Sequence, residues 1–508
     1  MQNTTGVPSV ARIAIGQLFS FTQRTTGIMK PLVSLVAVVA CLWNAPATGQ
    51  DLANHPAVAS QIKLMDAWID AQMKEIDLPG LVIGVVHDQE VVWSKAYGHA
   101  DVELGTPMEL DSIFRIASHS KLFTSIAILQ LREAGKLRLD DPITDHLPWF
   151  DMQNPYPDAE PIRISNLLTH SAGLPRESNH PSWTEFEFPT PEDLRETVSQ
   201  QQAAYPAATI WKYSNLGLSL AGAIVETISG RTYEEYIETE IMVPLGMTSS
   251  SVGVPTDTHR ARLVTGYGRR WLDKPRETMP FIDARAFDPA TGLSSSVDDM
   301  LKFLSWQMRL RSTHVTEVLR ANTLREMQRV HWLRENWRSG NGWGFSISHR
   351  DDRDLIGHGG SYPGNRTTTQ LSPKENVGVV VFTNGGDGNP GRYLNKAFEW
   401  IAPAIVRAMA QPAAPASADP SWSQYVGMYR SRGGERQVIV LNEELVVISP
   451  RSDDPMGGKS TLRPLGEHTF RIEGTGGGPH GELARFELDT SGNVIRLYMG
   501  VNYSERVP

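Results

Sequence analysis

Ser118 and Lys121 stand three residues apart in Phe114-Arg115-Ile116-Ala117-Ser118-His119-Ser120-Lys121, at the start of a run with helical periodicity. An i, i+3 pair shares one helix face, so the lysine amine reaches the serine hydroxyl. If Lys121 is buried there, desolvation lowers its proton affinity and it can act as a base toward that hydroxyl. Backbone N–H groups at the helix start add donors for an oxyanion. The chemistry on offer is nucleophilic acyl transfer. By itself the pair is weak, because an accidental S-x-x-K is expected in a chain this long, with the serine as a helix cap and the lysine in solvent. Two further groups raise the odds. Tyr213-Ser214-Asn215 presents a phenol and an amide just before another helix, although a plain turn with Asn215 as N-cap would look the same. His358-Gly359-Gly360-Ser361 lies between strand-like segments, where paired glycines allow close backbone approach; a tight turn carrying a surface histidine is the bland alternative.

Several elements must position these groups. Residues 118–133 predict an amphipathic helix, apolar at Leu122, Ile126 and Leu129 and closed by Gly135. Residues 216–229 predict a second helix closed by Gly230, and residues 57–76 and 393–409 predict two more. Residues 81–86 and 90–96 read as strands joined in a hairpin through His87-Asp88-Gln89, and strands return at 344–348, 367–371 and 377–383. The Pro/Ala run 411–420 reads as a linker. Beyond it, short strands at 438–440, 445–448, 469–472, 483–488 and 494–498 predict a small antiparallel β domain, a barrel.

Composition narrows the field of function. The chain has 508 residues, 40% of them hydrophobic, and a formal net charge of −9, so it can build full-sized cores in two or three domains. An acidic balance argues against nucleic acid as a partner. The single cysteine, Cys41, excludes a disulfide framework and thiolate metal sites. The 14 histidines fall in no H-E-x-x-H pattern, and no Gly-rich loop is set to cradle phosphates. No metal or cofactor is called for. No G-x-S-x-G is present either: around Ser171, Thr169 stands where glycine is required.

The N-terminus reads as an address. Met29-Lys30 precedes an apolar run over 31–43 and small residues at Ala45-Pro46-Ala47, the pattern of a secretory signal, with Met29 as the better initiator. The run is too short to span a bilayer, so no transmembrane span is expected. Two other readings stay open: a buried N-terminal helix, and a lipoprotein box at Val38-Val39-Ala40-Cys41 that would make Cys41 a lipid anchor. The expected division is a leader over 1–49, a catalytic unit over 50–410, the linker, and the β domain over 421–508. The expected location is the periplasm or the exterior.

In the order S-x-x-K, Y-x-N, H-x-G, the three groups resemble the serine β-lactamase and penicillin-binding protein superfamily. They look most like its class C branch, with its D-aminopeptidases, DD-peptidases and family VIII esterases. Asp140-Asp141-Pro142, Leu167-Leu168-Thr169-His170-Ser171-Ala172-Gly173-Leu174, Pro244-Leu245-Gly246-Met247 and Ala290-Thr291-Gly292-Leu293-Ser294-Ser295-Ser296 add to the likeness, which covers about residues 57–410. Tyr425-Val426-Gly427-Met428-Tyr429 is similar to the lipocalin-like β domains appended to members of this branch. The resemblance implies an α/β, β-lactamase-like fold: an antiparallel sheet flanked by helices, a mostly helical subdomain, and then a small all-β barrel-like domain. It implies Ser118 as nucleophile, Lys121 and Tyr213 sharing acid–base work, and Asn215 holding Lys121 and the substrate amide. The backbone N–H groups of Ser118 and Ser361, beside Gly359 and Gly360, would form the oxyanion hole, and His358 would orient the substrate or polarise the leaving group. Lys121 beside Tyr213 should depress the phenol's pKa.

His358 replaces the lysine that many β-lactamases carry, and histidine is mostly neutral at pH 7, which puts efficient penicillin hydrolysis in doubt. The expected activity is a serine peptidase or amidase acting on a small-molecule or peptide substrate with D- or otherwise unusual residues. A short-acyl carboxylesterase, a weak β-lactamase and a non-catalytic receptor for peptidoglycan fragments are the alternatives.

Overall fold

The computed structural model describes residues 49–507 except 273, 351, 411–418, 442–443, 450–457 and 475–477. The expected leader, Met29, the box ending at Cys41 and most of the expected linker lie outside the described residues.

An antiparallel sheet of nine strands carries the first part of the chain. Its strands are β1 (Gly80–His87), β2 (Glu90–Asp101), β3 (Thr106–Pro107), β4 (Trp332–Leu333), β5 (Ser339–Asn341), β6 (Ser346–Arg350), β7 (Arg353–Tyr362), β8 (Asn365–Ser372) and β9 (Val377–Thr383). They lie in the order β4-β5-β6-β7-β8-β9-β1-β2-β3. The hairpin between β1 and β2 turns on Asp88-Gln89, and Asp88 takes the left-handed φ of 52° that a two-residue hairpin needs.

The sheet is covered on both faces, which explains why β1 and β9 read as unbroken apolar runs. Leu81, Ile83, Val85, Val377, Val379 and Val381 face one core with α1 (Pro56–Ile76) and α6 (Pro390–Ala410). There Trp68 meets Tyr393 and Trp400 edge-on, with ring centroids 5.4 and 5.6 Å apart. Val82, Val86, Val380 and Phe382 face the opposite core, which contains α2 (Ser120–Glu133), α3 (Asn215–Ser229) and α5 (Val297–Arg311). The four-residue helix α4 (Asp288–Thr291) packs between α2 and α3.

The expected amphipathic helix is corrected in one respect. α2 is buried from Ser120 to Leu129 on every side, because it runs through the middle of the larger core instead of along its surface. Ser120 and Thr124 find partners there, while the Ser125 hydroxyl has none among the described residues. Ser120 Oγ donates to Ala117 O at 2.7 Å and accepts from Leu293 N at 3.0 Å, while Thr124 Oγ1 donates to Pro289 O at 2.6 Å.

The C-terminal strands close into an eight-stranded antiparallel barrel: β10 (Gly427–Ser431), β11 (Gly434–Leu441), β12 (Glu444–Ile448), β13 (Ser460–Gly466), β14 (Thr469–Glu473), β15 (Leu483–Leu488), β16 (Val494–Met499) and β17 (Asn502–Arg506). Its own core includes Tyr425, Tyr429, Phe470 and Phe486, with Tyr425 stacked on Phe486 at 4.3 Å. Tyr429 OH donates to Tyr425 O at 2.7 Å, so the barrel's buried phenol is paired within it.

Helix α5 approaches the sheet where two neighbouring strands lack side chains. A Cβ on Gly84 would stand 2.6 Å from Leu301 Cδ1, and one on Gly378 would stand 2.7 Å from Leu304 Cδ1. Gly84→Val should therefore destabilise the chain by about 1–3 kcal/mol through overpacking. Thermal unfolding followed by circular dichroism should show the loss, and a second substitution, Leu301→Ala, should return part of it.

Candidate active site

Ser118 sits in a 3₁₀ turn, Ala117–His119, that leads into α2. Ala117 just before it has φ 50°, a left-handed conformation that costs an L-residue about 1–2 kcal/mol. The strain turns Ser118 out of the helix cylinder, and the serine caps nothing. Its Oγ lies 2.8 Å from Tyr213 OH and 3.1 Å from Lys121 Nζ.

Lys121 is fully buried and has three oxygen neighbours. Besides Ser118, its Nζ donates to Asn215 Oδ1 at 2.8 Å and to Ala290 O at 2.7 Å. Burial holds the amine well below its ordinary pKa; Glu177 pulls it partly back up and Arg176 pushes it further down. Asn215 is not the cap of α3. Ser214 is, its side chain accepting from Gly217 N at 2.9 Å, which leaves Asn215 free to bridge Lys121 and Glu177. Asn215 Nδ2 donates to Glu177 Oε1 at 2.8 Å, and burial raises the Glu177 carboxyl above the usual range.

Tyr213 is packed between a cation and an imidazole. Arg176 lies over its ring at 4.9 Å, and the His170 ring is 4.3 Å away on a tilt. His170 Nδ1 accepts from Ser214 N at 3.2 Å, fixing the loop that carries the phenol. The expectation that Lys121 depresses the Tyr213 pKa does not hold. Burial pushes the phenol up to about 12, outweighing the hydrogen bond to Ser118 and the charge of Arg176, which pull it down.

His358 is neither in a turn nor at the surface. It lies inside β7, buried, and its Nδ1 is 2.7 Å from Gly359 O. Its ring meets that of His119 at 6.1 Å, and it makes no hydrogen bond to Ser118, Lys121 or Tyr213. Burial lowers its pKa to about 3, so the ring is neutral across the physiological range. The paired glycines allow the close backbone approach expected of them, here within a strand. A Cβ on Gly360 would stand 2.2 Å from both Ile116 O and Thr367 Oγ1, so β7 lies directly against the turn carrying Ser118.

Ser118, Asn215 and Ser361 line one cavity of about 280 Å³, together with Arg176, Trp183, Thr291, Tyr362, Pro363 and Arg366. The structure thus gathers Ser118, Lys121, Tyr213 and Asn215 by direct contact and brings Ser361 to the same hollow. Gly359 and Gly360 precede Ser361 on β7 without lining the cavity, and His358 stands further along the strand. Sequence reasoning missed Glu177, Arg176 and the Ala290 carbonyl. Arg176-Glu177 follows two residues after the Leu167–Leu174 segment already singled out, which is the one signal that could have found them. Among the described residues, no group of three His, Cys, Asp or Glu could hold a metal ion, and no helix is long and apolar enough to cross a membrane.

A family model described as Beta-lactamase matches residues 65–403. The chain is 25% identical over 464 residues to Beta-lactamase-like protein 2 of Dictyostelium discoideum, covering 86% of this chain and 83% of that protein. It is 24% identical over 329 residues to Protein flp of Staphylococcus aureus, covering 63% of this chain and 62% of that protein's length. Among solved structures, the octameric penicillin-binding protein homologue from Pyrococcus abyssi superposes with a TM-score of 0.57 at 24% identity, over 87% of this chain and 99% of that one.

The element that supplies the Ala290 carbonyl carries a charge of its own. Asp288, on α4, has a buried Oδ1 without a hydrogen-bond partner, and burial raises its carboxyl to about 7 although Arg115 draws it down. A carboxyl whose pKa is raised on folding binds its proton more tightly in the native state, so stability falls as pH rises between 3.8 and about 7. Asp288→Asn should flatten that fall, with urea unfolding at pH 5 and pH 8 as the measurement.

Proposed function

The chain belongs to the Beta-lactamase family, and we propose that it is a secreted serine hydrolase that forms an acyl-enzyme on Ser118, acting as a peptidase or amidase on peptides with D- or otherwise unusual residues. The observation that carries this reading is the set of partners around Lys121 Nζ. Nζ donates to Ser118 Oγ at 3.1 Å, to Asn215 Oδ1 at 2.8 Å and to Ala290 O at 2.7 Å. Burial favours loss of its proton, and the longest of the three bonds is the one to Ser118, so loss there would turn the lone pair to that hydroxyl.

In this mechanism Lys121 removes the Ser118 proton as Oγ attacks the substrate carbonyl. The new oxyanion is held by the backbone N–H groups of Ser118 and Ser361. Tyr213, kept as a phenol by burial, delivers a proton to the leaving group and receives one back from water in deacylation. Asn215 fixes the amine and offers its amide to the substrate. A neutral His358 leaves the far end of β7 without the cation that would bind a β-lactam carboxylate, which favours peptide or amide substrates over penicillins. The signal pattern ahead of residue 50 supports action outside the cytoplasm, with a lipid anchor at Cys41 as the second form of that reading.

A fluorophosphonate should label Ser118, and the label and all turnover should vanish in Ser118→Ala while the circular dichroism spectrum stays. Side-by-side rates should rank D-alanine p-nitroanilide above nitrocefin; the reverse order would make the chain a β-lactamase, and preference for p-nitrophenyl butyrate would make it an esterase. The acid limb of the kcat/KM profile should report Lys121. Glu177 raises that pKa, so Glu177→Gln should shift the limb to lower pH; Arg176 lowers it, so Arg176→Met should shift the limb to higher pH.

A further inference from the structure

The cavity that holds Ser118 is a cationic hollow in an acidic protein. Its lining includes two guanidiniums, Arg176 and Arg366, and no carboxylate. Arg176 is already engaged, its Nε 3.0 Å from Glu177 Oε1. Arg366 is not. It is half-buried on β8, its Nη1 donates to the carbonyls of Tyr362 and Asn365 at 3.1 and 3.2 Å, and it forms no ion pair with any described residue. Asp387, the carboxylate whose field it feels, is held by Arg276 at 2.5 Å. Nε and Nη2 of Arg366 thus keep their N–H bonds for a ligand. A half-buried guanidinium with no counter-charge is costly to keep unless an anion arrives to pair with it.

Register fixes which part of a substrate this anion belongs to. Arg366 is the partner of Ser361 across β7 and β8. Along β7, His358 lies on one side of Ser361, while Tyr362, Pro363 and the Arg366 side chain lie on the other. A substrate whose carbonyl sits at Ser361 sends one arm toward His358 and the other toward Arg366. The family resemblance has His358 polarise the leaving group, and on that assignment the arm that meets Arg366 is the acyl group. The geometry points to an acyl-side anion site: the preferred substrates carry a carboxylate on the acyl portion, bidentate on Arg366, with Trp183 and Tyr362 walling its methylene stem. This rests on the serine hydrolase reading, and it names the substrate class for that site.

The test compares mono-p-nitrophenyl adipate with p-nitrophenyl hexanoate, two six-carbon acyl groups that differ by one carboxylate. kcat/KM should favour the adipate ester by about ten- to hundredfold, the range of a charge-assisted pair. Arg366→Met should bring the ratio close to one, and Arg366→Lys should recover part of it. Equal rates on the two esters, or a preference that survives Arg366→Met, would overturn the assignment. If Ser118 takes no fluorophosphonate and neither ester turns over, the hydrolase reading fails separately. The anion site is then decided by calorimetry of adipate on Ser118→Ala: binding that Arg366→Met abolishes supports it, and no binding overturns it.

Discussion

Everything around the candidate nucleophile depends on keeping one lysine amine out of water. Lys121 lies in the first turn of a buried helix, and its amine donates to three oxygen acceptors. Full burial of a charged lysine is far more expensive than burial of the neutral amine, so the core lowers the proton affinity of Lys121. The cost of burying this polar group is offset by Asn215 and Ala290, which come from different parts of the chain. α3 and α4 are packed against α2 for that reason as much as for their apolar residues.

A second constraint is distance between backbones. The turn before α2 and strand β7 approach so closely that no side chain fits at Gly360. Two N–H groups can face one oxyanion only if their main chains come that near, and the left-handed Ala117 turns the serine toward the gap. The nine-stranded sheet, wedged between α1 and α6 on one face and α5 on the other, holds β7 in place. The precision of the site therefore resides in the core.

Some of this was legible from the residues alone. Ser118 with Lys121, and Tyr213 with Asn215, are short-range patterns whose geometry a helix or a helix start dictates. Glu177, Arg176 and the Ala290 carbonyl were not legible, because their part is created by contacts between residues tens to more than a hundred positions apart. The close backbone approach read from Gly359-Gly360 is present, made by the chain's own turn before α2, but the burial of His358 within β7 was not legible, because it depends on neighbouring strands. The pKa of Tyr213 was misjudged for a related reason, since burial of the phenol, which the local sequence does not show, outweighs the charges near it. In the barrel, β13 went unseen because Pro464 and Gly466 interrupt it at a bulge, and β17, Asn502–Arg506, is too polar to stand out.

The outer strands of the large sheet, β3 and β4, are two residues each, with Pro107 in one of them, and the barrel has no outer strand at all. An open strand edge is a template on which another chain can crystallise its own backbone, and extracellular proteins work without chaperones to reverse that. Stubby margins on one sheet and closure of the other shorten the template each can offer. A variant that lengthened either margin would enlarge that template before it disturbed the fold.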